Sequence, residues 1–171
     1  MARSVRALSA LGPSGRRVPD TPTPDRPIEL VRLSDADFAL AQPTDDIRGR
    51  IVVDKVRIGI GTVFDVLADP ASRRAFLMIV RGSDILLGEK DPLIPIDAIR
   101  YGDDEYVHVN LRHESVAEGP GFDEELVAEE GFQSAVYGWY GSLPYWHPEY
   151  VYPSDWSLRL ADAALRPRQR R

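Results

Sequence analysis

Ile60-Gly61-Thr62-Val63-Phe64-Asp65-Val66-Leu67-Ala68, then Asp69-Pro70-Ala71-Ser72, then Ala75-Phe76-Leu77-Met78-Ile79-Val80: these three consecutive pieces decide the fold. The first is rich in β-branched and aromatic residues, which fit a pleated, half-buried surface. The second is a turn, because proline presets φ and aspartate holds a turn through its own side chain. The third is apolar without alternation, so both faces of that strand require cover. Working outward, Ile51-Val52-Val53 is a short β-branched run, and Lys55-Val56-Arg57-Ile58-Gly59 breaks it with charge and a glycine, the grammar of a hairpin. Ile85-Leu86-Leu87, Leu93-Ile94-Pro95-Ile96 and Tyr106-Val107-His108-Val109 follow, each bounded by Gly, Pro or Asp. No helical period separates these runs. The pattern predicts an all-β domain, a small barrel of five to six short strands over Asp46–Leu111, with an extended N-terminal arm and an irregular aromatic C-terminal extension.

The residues carry a resemblance. Asp46-Ile47-Arg48-Gly49, Arg57-Ile58-Gly59, Val63-Phe64-Asp65-Val66, Asp69-Pro70, Leu93-Ile94-Pro95-Ile96 and Asp103-Asp104 stand in the order found in the PRC-barrel family, and residues 46–118 resemble that family. The resemblance implies a PRC-type barrel and a non-catalytic assembly role. Members include the cytoplasmic part of the H subunit of photosynthetic reaction centres, a domain of a ribosome-maturation factor and free-standing proteins. In the H subunit the cap stabilises the membrane core, and its carboxylates help to deliver protons towards the secondary quinone; no residue of this sequence is matched to that path.

The 171-residue chain has room for one domain with tails. It divides into an arm (1–27) rich in Arg, Pro, Ser and Thr, a leader (28–45), the barrel (46–118) and an acidic connector with aromatic segment and basic tail (119–171). Ser34 is a candidate cap for one helical turn in the leader, Arg112–Ala117 for a turn before Gly119-Pro120, and Ser157–Leu165 for a last helix. With no cysteine, disulfides cannot supplement a small core. No apolar run is long enough to cross a bilayer, and the arginine-bearing N-terminus has no signal-like apolar region. A cytoplasmic protein is expected, peripheral on the membrane face if it acts as a cap.

The net charge of −6 hides a division. The two tails together hold 10 basic and 3 acidic side chains, which leaves 11 basic and 24 acidic, a net of −13, for residues 28–158. An acidic body argues against nucleic-acid binding, which needs a basic face to displace counterions. The Arg-rich tails suit contact with anionic lipid or acidic protein surfaces, or simple solubilisation of the chain ends.

Tyr137 to Trp156 gathers all three tryptophans with five tyrosines, among Gly and Pro residues that argue against a long helix. Large rings with polar tips are the material of interface hot spots; they also serve to cap a protein's own core. The expected partner-binding set is Phe76, Met78, Tyr137, Trp139, Tyr140, Tyr145, Trp146, Tyr150, Tyr152 and Trp156. Glu114, Glu118, Asp123, Glu124, Glu125, Glu129 and Glu130 read as a solvated acidic face, since no nucleophile or oxyanion donors stand near them in sequence.

The only histidines, His108, His113 and His147, lack zinc-enzyme spacing; Gly59-Ile60-Gly61 lacks the third glycine of a dinucleotide fingerprint; Ser14, Ser34, Ser72 and Ser83 sit in no nucleophile elbow. No catalytic set, metal site or cofactor is expected. Partners should be other protein subunits of a membrane complex, with an H-subunit-like cap as the leading reading. The alternatives are a free-standing PRC-barrel protein, dimeric through barrel edges and regulatory or stress-related, and an RNA- or ribosome-associated factor.

Overall fold

The computed structural model describes residues 29–35, 46–72, 74–82 and 88–153. The expected arm (1–27), the second half of the leader, the run Ile85–Leu87, Trp156 and the helix expected at Ser157–Leu165 lie outside the described residues. Seven strands make one sheet: β1 (Val31–Arg32), β2 (Ile51–Val53), β3 (Gly59–Asp69), β4 (Arg74–Arg81), β5 (Leu93–Pro95), β6 (Ile99–Gly102) and β7 (Tyr106–Val109). A 3-10 turn, Ile96–Ala98, joins β5 to β6, and two helices follow: α1 (His113–Glu118) and α2 (Glu130–Trp139).

The strand order is β5–β4–β3–β2–β7–β6. β1 and β2 share one edge of the long β3, pairing with Leu67–Ala68 and with Gly59–Thr62 respectively, while β4 pairs along the other edge. All pairs are antiparallel except β2–β7. The β3–β4 hairpin forms where the sequence places it. Asp69 closes its turn, accepting the Ala71 and Ser72 amides at 2.9 Å each. Of the leader, Val31 and Arg32 pair with β3, and the Ser34 hydroxyl and amide both donate to Asp65; the residues that the turn expected after Ser34 would occupy lie largely outside the described residues. Asp65 is buried, so its charge requires partners; Arg32 Nε and the Val66 amide supply two more and pin β1 to β3.

The expected barrel is corrected to an open seven-stranded sheet. Register shifts in the β2–β3, β3–β4 and β6–β7 ladders bend it, but the end strands β5 and β6 do not pair. The reason is local. The Leu93 amide on the outer edge of β5 donates to Pro120 O at 3.0 Å, the Phe122 amide reaches Asp91 O at 2.6 Å, and Pro92 bridges Gly121. The segment 120–122 thus occupies the edge that closure would need.

Openness gives the sheet two cores. One cluster fills the concave side, drawing Val52, Ile60, Val63, Val66, Met78, Val80, Ile94, Val107 and Val109 together with Val116 of α1. The other lies across β4 and β5: Phe76, Leu77, Ile79 and Leu93 pack against Val127, Val136, Tyr137 and Tyr145. The unbroken apolar run of β4 follows from this arrangement, since each of its faces meets a different core.

Candidate functional site

The aromatic segment covers its own chain. Helix α2 presents Gln133, Val136 and Tyr137 inward, and the chain then returns so that Tyr145 stacks on Phe76 of β4 with ring centroids 4.2 Å apart. Trp146 meets both Tyr137 and Tyr145 edge-on, and Tyr152 meets Phe76 edge-on. Gln133, wholly buried, fixes the return: its amide donates to Val127 O at 2.7 Å and accepts the Tyr145 hydroxyl at 2.9 Å. Four of the ten residues expected to bind a partner, Phe76, Met78, Tyr137 and Tyr145, are buried in these cores and offer a partner no area. Tyr137 and Tyr145 provide part of the cover that β4, with its own Phe76 and Met78, requires. Tyr140, Trp146, Tyr150 and Tyr152 are half-buried against the same clusters. Trp139 alone of the described members stands out, 47% exposed, with its indole N–H donated to Ser115 O at 2.8 Å.

Under this cover sits Asp97, on the 3-10 turn, with the Tyr150 hydroxyl 3.3 Å from its Oδ2. Burial pushes its carboxyl up to about 6, and the Tyr150 hydrogen bond offsets only part of that. Burial likewise raises the Tyr150, Tyr140 and Tyr137 hydroxyls, so all three stay neutral at physiological pH.

A different surface is left open. On β2 and β7, Val52 and Val107 point into the core while Ile51 and Tyr106, directly opposite each other in register, are exposed on the outer face. One step along, His108 stands opposite Tyr101 of β6, and the two rings stack at 4.1 Å and 17°. Tyr106 tilts against the same imidazole at 6.2 Å. Val56 and Ile58 on the β2–β3 turn are exposed as well. Half of the large exposed hydrophobics among the described residues, five of ten, thus fall on β2, β6, β7 and the β2–β3 turn. None of these five was expected at a site, although the alternation Tyr106-Val107-His108-Val109 carries the signal: the outward positions hold rings instead of short polar residues.

The foundation of this face is polar. Asp54, at the end of β2, is 1% exposed; its Oδ1 accepts the Val56 and Ile58 amides at 2.9 and 2.8 Å. Its Oδ2 takes the His113 amide at 3.2 Å and the His113 Nδ1 at 2.8 Å. Burial works to raise the Asp54 pKa, but the hydrogen bonds from Ile58, His113 and Val56 outweigh it and hold the carboxyl below the usual range. It is therefore ionised at neutral pH, and the His113 nitrogen facing it carries the proton. One carboxylate thus ties the β2–β3 turn to the start of α1. Beyond the far end of β2, Asp46, Arg48, Arg50, Asp104 and Glu105 line an open groove of about 730 Å3, in which Arg48 is paired bidentately with Asp46.

Among the described residues no group of three or more His, Asp or Glu side chains is placed to hold a metal ion, and no helix is long and apolar enough to cross a membrane. No protein-family model matches the chain, and no characterised protein matches it.

Proposed function

We propose that the protein is a non-catalytic assembly module that docks on another protein subunit through the outer face of β2, β7 and β6. The observation that carries this is the exposed row Ile51–Tyr106 beside the stacked Tyr101–His108 pair, on a sheet whose other faces are covered by the chain itself. Rings held rigid by a sheet lose little conformational entropy on binding, which makes them effective anchors. Contact should be face-on. The edge of β6 is short, carries a register shift between Ile99 and Tyr101, and bears the exposed Arg100, features that oppose addition of a further strand.

In its finer form the module is a peripheral cap of a membrane complex, the role that the resemblance of residues 46–118 to PRC-barrel proteins implies. Support for that form is the resemblance itself and the acidic body, which suits contact with basic cytoplasmic loops. The test is co-purification of tagged full-length chain from native membranes, with Tyr101→Glu/Tyr106→Glu as the comparison. The wild type should bring down a defined set of membrane-complex subunits, and the double variant should lose them while keeping the wild-type melting midpoint. Equal recovery with both chains would exclude this face; a chain found only in the soluble fraction would exclude the cap.

A further inference from the structure

Three cations of this acidic protein converge on one recess. Lys55 and Arg57 come from the β2–β3 turn, Arg100 and Tyr101 from β6, His108 and Val109 from β7, and with Asp54 they enclose about 280 Å3. The carboxylate there is already committed. Both oxygens of Asp54 are saturated by the turn amides and by His113. Lys55, Arg57 and Arg100 have no ion-pair partner among the described residues, in contrast to Arg32, Arg48 and Arg81, which are paired with Asp65, Asp46 and Asp91. Of the acidic residues between β6 and β7, Asp104 and Glu105 line the other groove, and the Asp103 carboxylate is engaged by the Glu105 and Tyr106 amides at 2.9 and 2.8 Å.

The recess is also held in shape. Arg57 has φ of 69°, a left-handed conformation uncommon for a residue with a side chain. Asp54 fixes it there by taking the amides on either side, while the Arg57 amide donates to Asp54 O at 3.0 Å. The Tyr101–His108 stack forms one wall, and its imidazole adds a hydrogen-bonding edge. A glycine would adopt that conformation without the strain that a side chain adds there.

We propose that this recess binds a phosphate monoester. Two guanidinium groups and an ammonium match a dianion in charge, and guanidinium forks match phosphate oxygens in geometry. At about 280 Å3 the recess falls just below the usual range of small-molecule sites, roughly 300–1,000 Å3, which suits a phosphate on a group of glycerol size and is too small for a dinucleotide. A free metabolite and a phosphatidate headgroup present this same chemistry.

The experiment is calorimetric titration of the full-length chain with inorganic phosphate, with glycerol 3-phosphate, and with phosphatidylcholine vesicles lacking or containing phosphatidic acid. Binding of glycerol 3-phosphate, tighter than inorganic phosphate and weakened by salt, assigns a soluble monoester; binding of phosphatidate vesicles alone assigns the headgroup. In Arg57→Gly/Arg100→Gln the affinity should fall by at least about ten-fold. The melting midpoint should hold or rise, because glycine relieves the left-handed strain and Arg100 is exposed. Absence of binding in every arm at millimolar ligand, or affinity unchanged in the double variant, overturns the assignment. The assay needs no partner protein, so its failure leaves the docking proposal standing, and the converse also holds.

Discussion

Asp97 and Asp54 are both carboxylates drawn out of water, and they bend the pH dependence of stability in opposite directions. Asp54 is stabilised as an anion by four hydrogen bonds, so its folded pKa lies below the unfolded value of 3.8. Its contribution is present at neutral pH and is lost as the solution becomes acid. Asp97 has one long hydrogen bond from Tyr150, and burial pushes it up to about 6. A raised acid binds its proton more tightly when folded. Its contribution is therefore full below pH ~4, declines as pH rises through about 6, and levels off above pH ~7. Between pH 5 and 7 the Asp54 contribution is constant, and any other group that titrates there is common to wild type and variant, so their difference isolates Asp97. Urea midpoints of the wild type should fall across that window relative to those of Asp97→Asn. At pH 7 the variant should be more stable by ~1–2 kcal/mol, allowing for solvent screening of a partly exposed group. An identical decline in the variant would assign the titration to another group.

At the level of elements, glycines divide by what surrounds them. A Cβ on Gly61, in β3, would lie 2.5 Å from Arg81 O at the end of β4 and 2.7 Å from Gly82 Cα just beyond it, backbone atoms that cannot step aside without distorting the ladder. Gly131, in the first turn of α2, has nothing within 4 Å and no positive φ. Gly61→Ala should lower unfolding free energy by about 1–3 kcal/mol, and Gly131→Ala should raise it by about 0.5–1 kcal/mol; urea denaturation of the two variants checks both signs. The same distinction explains what was legible in the sequence. The β3–β4 hairpin, the β7 alternation and the single turn of α1 follow from local pattern, because turn chemistry and β-propensity agree there with the tertiary fold. Helix α2 does not, since Gly131 and Gly138 lower its intrinsic propensity and its ends have no side-chain caps. Its formation rests on burying Gln133, Val136 and Tyr137, a tertiary effect that outweighs propensity. The covering of the β5 edge is equally hidden, because it depends on the distant segment 120–122 folding back to Leu93. The recess was hidden for a related reason: Lys55, Arg57 and Arg100 become neighbours only through the β2–β7–β6 pairing.

For the molecule as a whole, the two-core arrangement moves the boundary of the folding unit. The sequence marks off residues 46–118 as a barrel with attachments, yet Phe76, Leu77, Ile79 and Leu93 on β4 and β5 are sealed by Val127, Val136, Tyr137 and Tyr145, all beyond that boundary. Complete burial stabilises each such side chain by about 1.5–3 kcal/mol. Four of them amount to roughly 6–12 kcal/mol, comparable to the entire stability of an ordinary domain at about 5–15 kcal/mol. Removing residues 119–171 also deletes Pro120 O and so leaves the Leu93 amide on a bare strand edge. The chain ending at Glu118 should therefore show no cooperative thermal transition. It should bind a hydrophobic dye and associate through the uncovered β4–β5 side, whereas the chain ending at Pro153 should melt cooperatively. A sharp transition in the shorter chain, at a midpoint near that of the longer one, would mean that the concave core alone sustains the sheet. The aromatic return would then be free to serve a partner instead of the fold.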